Sequence, residues 1–139
     1  MTAVKEAVIA GAGIAGLAAG ITFARSGVRV GVYDANPQSA LEGSGYTISA
    51  IGMRAIRDLG LGEDVARHGA GSAETLIADE AGHQLDKIVT PQLAGPGLPA
   101  MGGIMRLKFH ELLMAVAQKE GVSVEFGKGV ESFEQSAGA

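Results

Sequence analysis

VKEAVIAGAGIAGLAAGITFARSGVRVGVYD, residues 4–34, decides the fold. Val4 to Ala10 is short, apolar and β-branched, and Gly11 stops it, which predicts a buried strand. Ile14, Leu17, Ala18 and Ile21 then recur at i, i+3, i+4 and i+7, one face of a helix. Gly27 sits where a helix C-terminal cap belongs. From Val28 to Tyr33 a second strand follows, with Val28, Val30 and Val32 alternating. Strand, helix and strand within roughly 30 residues make a βαβ unit, whose strands run parallel with a right-handed crossover.

Between the first strand and the helix lies Gly11-Ala12-Gly13-Ile14-Ala15-Gly16. On its own this spacing is a weak signal, and its place after a strand and before a helix makes it specific. Each glycine has a physical task. Gly11 permits the tight turn out of the strand. Gly13 lacks a Cβ, so a pyrophosphate can approach the backbone, and Gly16 lets the helix pack close to the strand. The helix start at Ile14 and Ala15 offers unpaired N–H groups and a partial positive charge to an anion. Gly20 extends the small face by one turn. Asp34 ends the second strand, near the expected spacing of about 20 residues. A carboxylate there accepts hydrogen bonds from both ribose hydroxyls and repels a 2′-phosphate. Alone it would be an ordinary turn residue. Together these features predict an α/β fold of the Rossmann type that binds a dinucleotide.

The rest of the composition agrees with a folded domain. The chain has 139 residues, 47% hydrophobic and 19% charged, enough to bury a core and too apolar for disorder. The 22 glycines foretell many tight turns. A net charge of −4 without a basic tract argues against a nucleic-acid partner. Absence of cysteine excludes disulfides, thiolate metal sites and cysteine nucleophiles, and is compatible with a reducing cytoplasm, the expected location. Residues 7–24 carry no charge and could be read as a signal peptide or membrane span. Four glycines interrupt that run, and Glu6 beside Lys5 spoils a basic leader, so no membrane association is expected.

Further along, residues 36–45 read as loop, and a short strand is expected at Tyr46 to Ser49. Met53, Ile56 and Leu59 suggest a short helix ending at Gly60. Thr75 to Asp79 and His83 to Val89 form a hairpin turned by Glu80-Ala81-Gly82, outside the Rossmann core. Pro91 to Gly103 is expected to be loop. Phe109, Leu112, Leu113 and Val116 mark a second amphipathic helix, capped near Gly121. Val122 to Phe126 is a third parallel strand, and the first strand is expected in the middle of the three.

With these pieces in place the chain resembles the FAD-dependent monooxygenases of the para-hydroxybenzoate hydroxylase fold. The stretch GAGIAGLAAGITFARSGVRVGVYDANP (11–37) carries the first likeness. GYTISAIGMRAIRDLGL (45–61) and Arg106-Leu107-Lys108-Phe109-His110-Glu111-Leu112-Leu113 carry two more. The resemblance covers nearly the whole chain. It implies an N-terminal FAD-binding domain fragment over 1–139, with about 70–103 forming a hairpin and loop of a β-rich substrate domain. It implies FAD as cofactor and NAD(P)H as co-substrate, with hydroxylation of a small aromatic or apolar molecule by O2. It places Gly11, Gly13, Ile14, Ala15, Gly16, Asp34 and Ala35 at the cofactor.

Arg106 is brought there by two lines. Arg106 and Lys108 fall in the first turn of their helix, where a cation opposes the macrodipole by about 0.3–1 kcal/mol. A ligand phosphate or flavin oxygen would offset that cost, and in the family this Arg lies against the cofactor. A solvated surface arginine is the plainer alternative. Many members have Glu-Arg at Asp34-Ala35 and an Arg at the position of Ala40, whose cofactor role is therefore not carried over. The family's later Asp-Gly and Gly-Asp motifs are not present before Ala139. The chain is thus expected to be truncated, inactive in hydroxylation by itself, and prone to self-association or to pairing with a missing C-terminal segment.

No residue is assigned as a catalytic acid or base, and no metal is expected. His68, His83 and His110 are scattered and read as surface residues. Ser44 is a turn residue and not a nucleophile elbow. Met53, Met105 and Met114 read as core filling. Two other functions use the same motifs: a non-catalytic dinucleotide-binding module, and a flavin reductase or halogenase of the same fold.

Overall fold

The structure, a computed structural model, describes residues 4–37 and 43–135. In chain order its elements are β1 (Glu6–Ala10), α1 (Ile14–Arg25), β2 (Arg29–Asp34), β3 (Gly45–Ile48), α2 (Ala50–Asp58), α3 (Gly62–His68), β4 (Ala70–Ser72), β5 (Glu74–Ala78), β6 (Gln84–Val89), β7 (Met101–Met105), α4 (Arg106–Lys119) and β8 (Ser123–Phe126). They divide into two compact units, one of Met1–Glu42 with Leu113–Ala139, the other of Gly43–Leu112.

The first unit is the βαβ unit extended by one strand. β1 pairs parallel with β2, and β2 pairs parallel with β8. The buried face of α1 is the apolar one: Leu17 and Ile21 are fully buried, as is Val32 on β2. Gly20 brings the helix close, since a Cβ there would lie 3.4 Å from both Val32 Cγ2 and Val122 Cγ1. Gly27 takes φ +81° just past the helix end, which reverses the chain into β2. One expectation fails. The strand order is β1-β2-β8, so the second strand and not the first is central. The crossover rule fixes handedness and parallel pairing, but leaves open which edge the third strand joins.

The second unit is built on an antiparallel sheet of order β3-β7-β4. Ile48, Ile104, Met53, Ile56, Leu61, Val65 and Phe109 form its core. Ser49 caps α2, its Oγ accepting the Gly52 N–H at 3.3 Å. Tyr46 meets Phe109 edge-on, with centroids 6.5 Å apart. The hairpin forms as expected, with β5 and β6 antiparallel and paired only to each other among the described strands. Every residue of both strands is exposed.

Other differences have local causes. The stretch expected to be loop up to Gly103 turns strand at Met101, because β7 is paired on both sides. His110 is buried (2% exposed), not on the surface. It lies one helical turn before Leu113 and Met114, both buried, so it shares their face. Met53 and Met114 are core, whereas Met105 is 58% exposed. It is the last residue of β7, where the strand gives way to α4. Ala40 and the rest of 38–42, part of the stretch expected to be loop, lie outside the described residues. Among the described residues, no helix is long and apolar enough to cross a membrane. Residues 7–24 instead supply β1 and most of α1.

Candidate dinucleotide-binding site

The turn from β1 into α1 is fixed by two consecutive backbone donors. Gly11 takes φ +102°, a conformation that L side chains rarely adopt, and its N–H donates to Tyr33 O at 2.7 Å. Ala12, 1% exposed, donates its N–H to Asp34 Oδ2 at 2.8 Å. Gly13 is the N-cap of α1, with extended backbone and no side-chain cap. The helical ladder begins when Leu17 N–H donates to Gly13 O at 3.0 Å. The N–H groups of Ile14, Ala15 and Gly16 precede it and have no intrahelical carbonyl to bond. No acidic residue stands in this first turn. A 12-residue helix therefore presents its positive end and three donors without a carboxylate on that turn.

The three glycines of the loop differ in what surrounds them. A Cβ on Gly13 would meet nothing within 4 Å, so the space above it is open to a ligand. A Cβ on Gly16 would lie 1.9 Å from Gly11 O, so only glycine allows α1 to start this close to the strand end. That geometry suits a pyrophosphate: N–H groups without intrahelical partners at a helix start, beside a glycine with open space above it.

Asp34 is a junction of three segments. Its Oδ2 holds the phosphate loop through Ala12. Its Oδ1 accepts from the Asn36 backbone N–H at 2.9 Å and from Asn36 Nδ2 at 3.3 Å. Its own carbonyl accepts from Lys128 N–H at 2.8 Å, and Gly127 N–H donates to Asn36 O at 3.3 Å. The turn after β8 thus runs beside Ala35, close enough that a Cβ on Gly129 would lie 3.3 Å from the Ala35 Cβ. Sequence reasoning missed this turn. The signal available was Gly127-Lys128-Gly129 directly after an apolar strand, and Gly127 indeed takes φ +72°. Lys128 bonds Glu125 at 2.6 Å, and that carboxylate holds its ammonium pKa above the usual lysine value.

Gly11, Gly13, Ile14, Ala15, Gly16, Asp34 and Ala35 are brought together in the first unit. Arg106 belongs to the second. It is the first residue of α4, as the sequence predicts, and its N–H donates to Ser44 O at 3.1 Å. Its side chain is exposed and its stem passes over Gly43, where a Cβ would lie 3.0 Å from Arg106 Cβ. Lys108, two residues further on the same turn, is neutralised by Glu111 at 3.1 Å. Gly43 was not singled out from the sequence, although a glycine is what leaves room for the arginine. Among the described residues no group of three or more His, Asp or Glu is placed to hold a metal.

Residues 4–139 match the family described as FAD binding domain. The chain belongs to that family. Its FAD-binding domain is 30% identical over 133 residues to YetM of Bacillus subtilis (strain 168), whose name assigns it to the FAD-dependent monooxygenases. That match covers 96% of this chain and 36% of the relative. It is 32% identical over 127 residues to kynurenine 3-monooxygenase of Salinispora arenicola (strain CNS-205), covering 86% of this chain and 24% of that one. The fold is shared with p-nitrophenol 4-monooxygenase PnpA from Pseudomonas putida DLL-E4, at a TM-score of 0.81 and 19% identity over 98% of this chain and 35% of that one. The FAD-binding domain thus spans about a quarter to a third of the length of the proteins it matches.

Proposed function

We propose that Gly11 to Gly16 hold the pyrophosphate of FAD, with Asp34 and Ala35 at the ribose and Arg106 at a further oxygen of the cofactor. The observation that carries this reading is the uncovered helix start: three N–H groups beside a glycine with open space above it. Asp34 accepts Ala12 N–H on Oδ2 and two Asn36 donors on Oδ1, which orients its carboxylate at the strand end. Its charge disfavours a 2′-phosphate, in keeping with FAD, which has none.

Kinship supports a reading of the wider activity. The chain acts as part of a flavin monooxygenase that hydroxylates a small aromatic or apolar substrate with NAD(P)H and O2, in the cytoplasm. The flavin supplies the redox chemistry when bound, while this chain's residues bind and orient it. The kynurenine of the Salinispora relative's name is a small aromatic molecule, which supports that substrate class. Residues 70–103 contribute to the substrate side, a role suited to the exposed apolar Leu76, Ile77, Leu85 and Ile88 of the hairpin.

Titration with FAD tests the site. Asp34→Ala should weaken binding by about 1.5–3 kcal/mol, the range for a hydrogen bond to a charged group. Gly13→Val should remove most of the affinity, because its side chain fills the space the pyrophosphate needs. Unchanged affinity in both variants would place the cofactor elsewhere.

A further inference from the structure

The geometry points to a second task for Asp34: it is the residue that positions the phosphate loop, holding Ala12 so that the following N–H groups face the pyrophosphate before any ligand arrives. This rests on the reading of Gly11 to Gly16 as the phosphate site, and adds to Asp34 a role toward a group it does not touch.

Three observations carry it. Ala12 is the residue between the two loop glycines, and its N–H bonds a side chain, Asp34 Oδ2, at 2.8 Å. Both neighbours in the loop are glycines, with the widest backbone freedom, so the conformation needs an external latch. Gly11 is latched to Tyr33 O at 2.7 Å and Ala12 to Asp34, two consecutive donors tied to two consecutive residues of β2. Asp34 is itself braced from the other side. Asn36 holds Oδ1 at 2.9 Å, and Lys128 N–H holds its carbonyl at 2.8 Å. With its carboxylate on Ala12 and Asn36 and its backbone carbonyl on the turn after β8, Asp34 fixes the direction of Ala12 N–H, and with it the path into Gly13 and Ile14.

The consequence separates this role from ribose binding by sign. Inorganic pyrophosphate has no ribose. If Asp34 served the ribose alone, removing its negative charge should leave pyrophosphate affinity unchanged or raise it, since like charges repel. If it positions the loop, its removal should lower that affinity although a repulsion has gone.

The experiment uses the full 139-residue chain and inorganic pyrophosphate, followed by backbone amide resonances. In the ligand-free protein, hydrogen exchange at the Ala12 amide should be slow. Asp34→Ala should lose that protection and bind pyrophosphate roughly tenfold more weakly, the lower end for a charge-assisted bond. Asp34→Asn keeps a carbonyl acceptor within reach and should restore Ala12 protection and affinity. Equal or tighter pyrophosphate binding in Asp34→Ala, with Ala12 still protected, overturns the proposal. Should Asp34→Ala fail to fold, acid titration of the unaltered protein decides. The Ala12 amide proton should shift in step with the Asp34 carboxyl carbon, and an Ala12 signal indifferent to that titration overturns the proposal. Absence of pyrophosphate binding by the unaltered chain counts against the phosphate site itself, while the Ala12 amide still reports on the latch.

Discussion

Two turns in this molecule use nearly the same parts to different ends. At Gly11–Gly16 a glycine of positive φ leaves a strand, and an aspartate accepts backbone N–H groups from Ala12 and Asn36. At Asp79–His83 Gly82 takes φ +87°, and Asp79 accepts the N–H groups of Ala81 at 2.9 Å and His83 at 2.8 Å, and bonds the His83 ring at 3.0 Å. In the hairpin the donors and acceptor belong to the same turn, so the turn is self-contained. In the phosphate loop the aspartate comes from a different strand and holds the Ala12 N–H. The N–H groups of Ile14, Ala15 and Gly16 are left facing outward at a helix start. A turn becomes a candidate binding site when its donors outnumber its own acceptors and a packed scaffold holds them in place. Leu17, Ile21 and Val32 supply that scaffold in one case, and in the other every strand residue is exposed.

The largest effect should come from Gly16→Ala. Its methyl would sit 1.9 Å from Gly11 O, a backbone atom that cannot rotate away, so α1 must move off the strand. Denaturant unfolding should show a loss of about 3 kcal/mol or more, at the upper end for overpacking. A Cβ at Gly13 would meet nothing within 4 Å, so Gly13→Val should leave stability nearly unchanged while abolishing tight FAD binding. Equal destabilisation by the two variants would erase the distinction between a packing glycine and a ligand-facing one.

These distinctions were legible to unequal degrees. The βαβ unit could be read because Leu17 and Ile21 mark a helical face and Val30 and Val32 a strand period. The glycine tasks could be read because three glycines at fixed spacing bracket a strand-to-helix turn. The Ala12 latch was not legible, since the sequence shows an acid at the strand end but not which N–H it reaches. Nor were α3 and β4. The first is a seven-residue helix with only Val65 as a buried apolar side chain, and the second, Ala70-Gly71-Ser72, has no strand propensity. β4 exists because β7 offers it an edge, a tertiary cause that local pattern does not contain.

An intermediate effect is expected at Gly82→Ala. A Cβ there meets nothing within 4 Å, so the cost is conformational, about 1–2 kcal/mol for a left-handed residue. It should fall on the hairpin alone, because β5 and β6 pair only with each other among the described strands. Amide exchange should therefore quicken across Glu74–Val89 and stay unchanged in β1 and β2. A global shift instead would mean that the hairpin unfolds together with the rest of the chain.

The smallest effect concerns pH. Hydrogen bonds from the His83 backbone and ring, then from the Ala81 and Gly82 backbones, hold the Asp79 carboxyl below the ordinary value of 3.8. A depressed carboxylate pKa stabilises the folded turn fully above the unfolded value, and that contribution disappears as pH falls through the folded one. The Ala81 and His83 amides should therefore keep their protection factors down to about pH 4 and lose them below it. In Asp79→Asn the amide carbonyl still accepts but does not titrate, so the protection of those amides should no longer change with pH across this range. Asp79 lies in an exposed turn, so the change should be confined to that turn, with no movement of the main unfolding transition. The same acid titration also reaches the phosphate loop through the Ala12 amide. There the braced Asp34 is tied to a packed sheet, so protonation should disturb the loop's donors without melting β1 or β2. If both turns instead lost protection together with their flanking strands, the contrast between a self-contained turn and a scaffolded one would collapse.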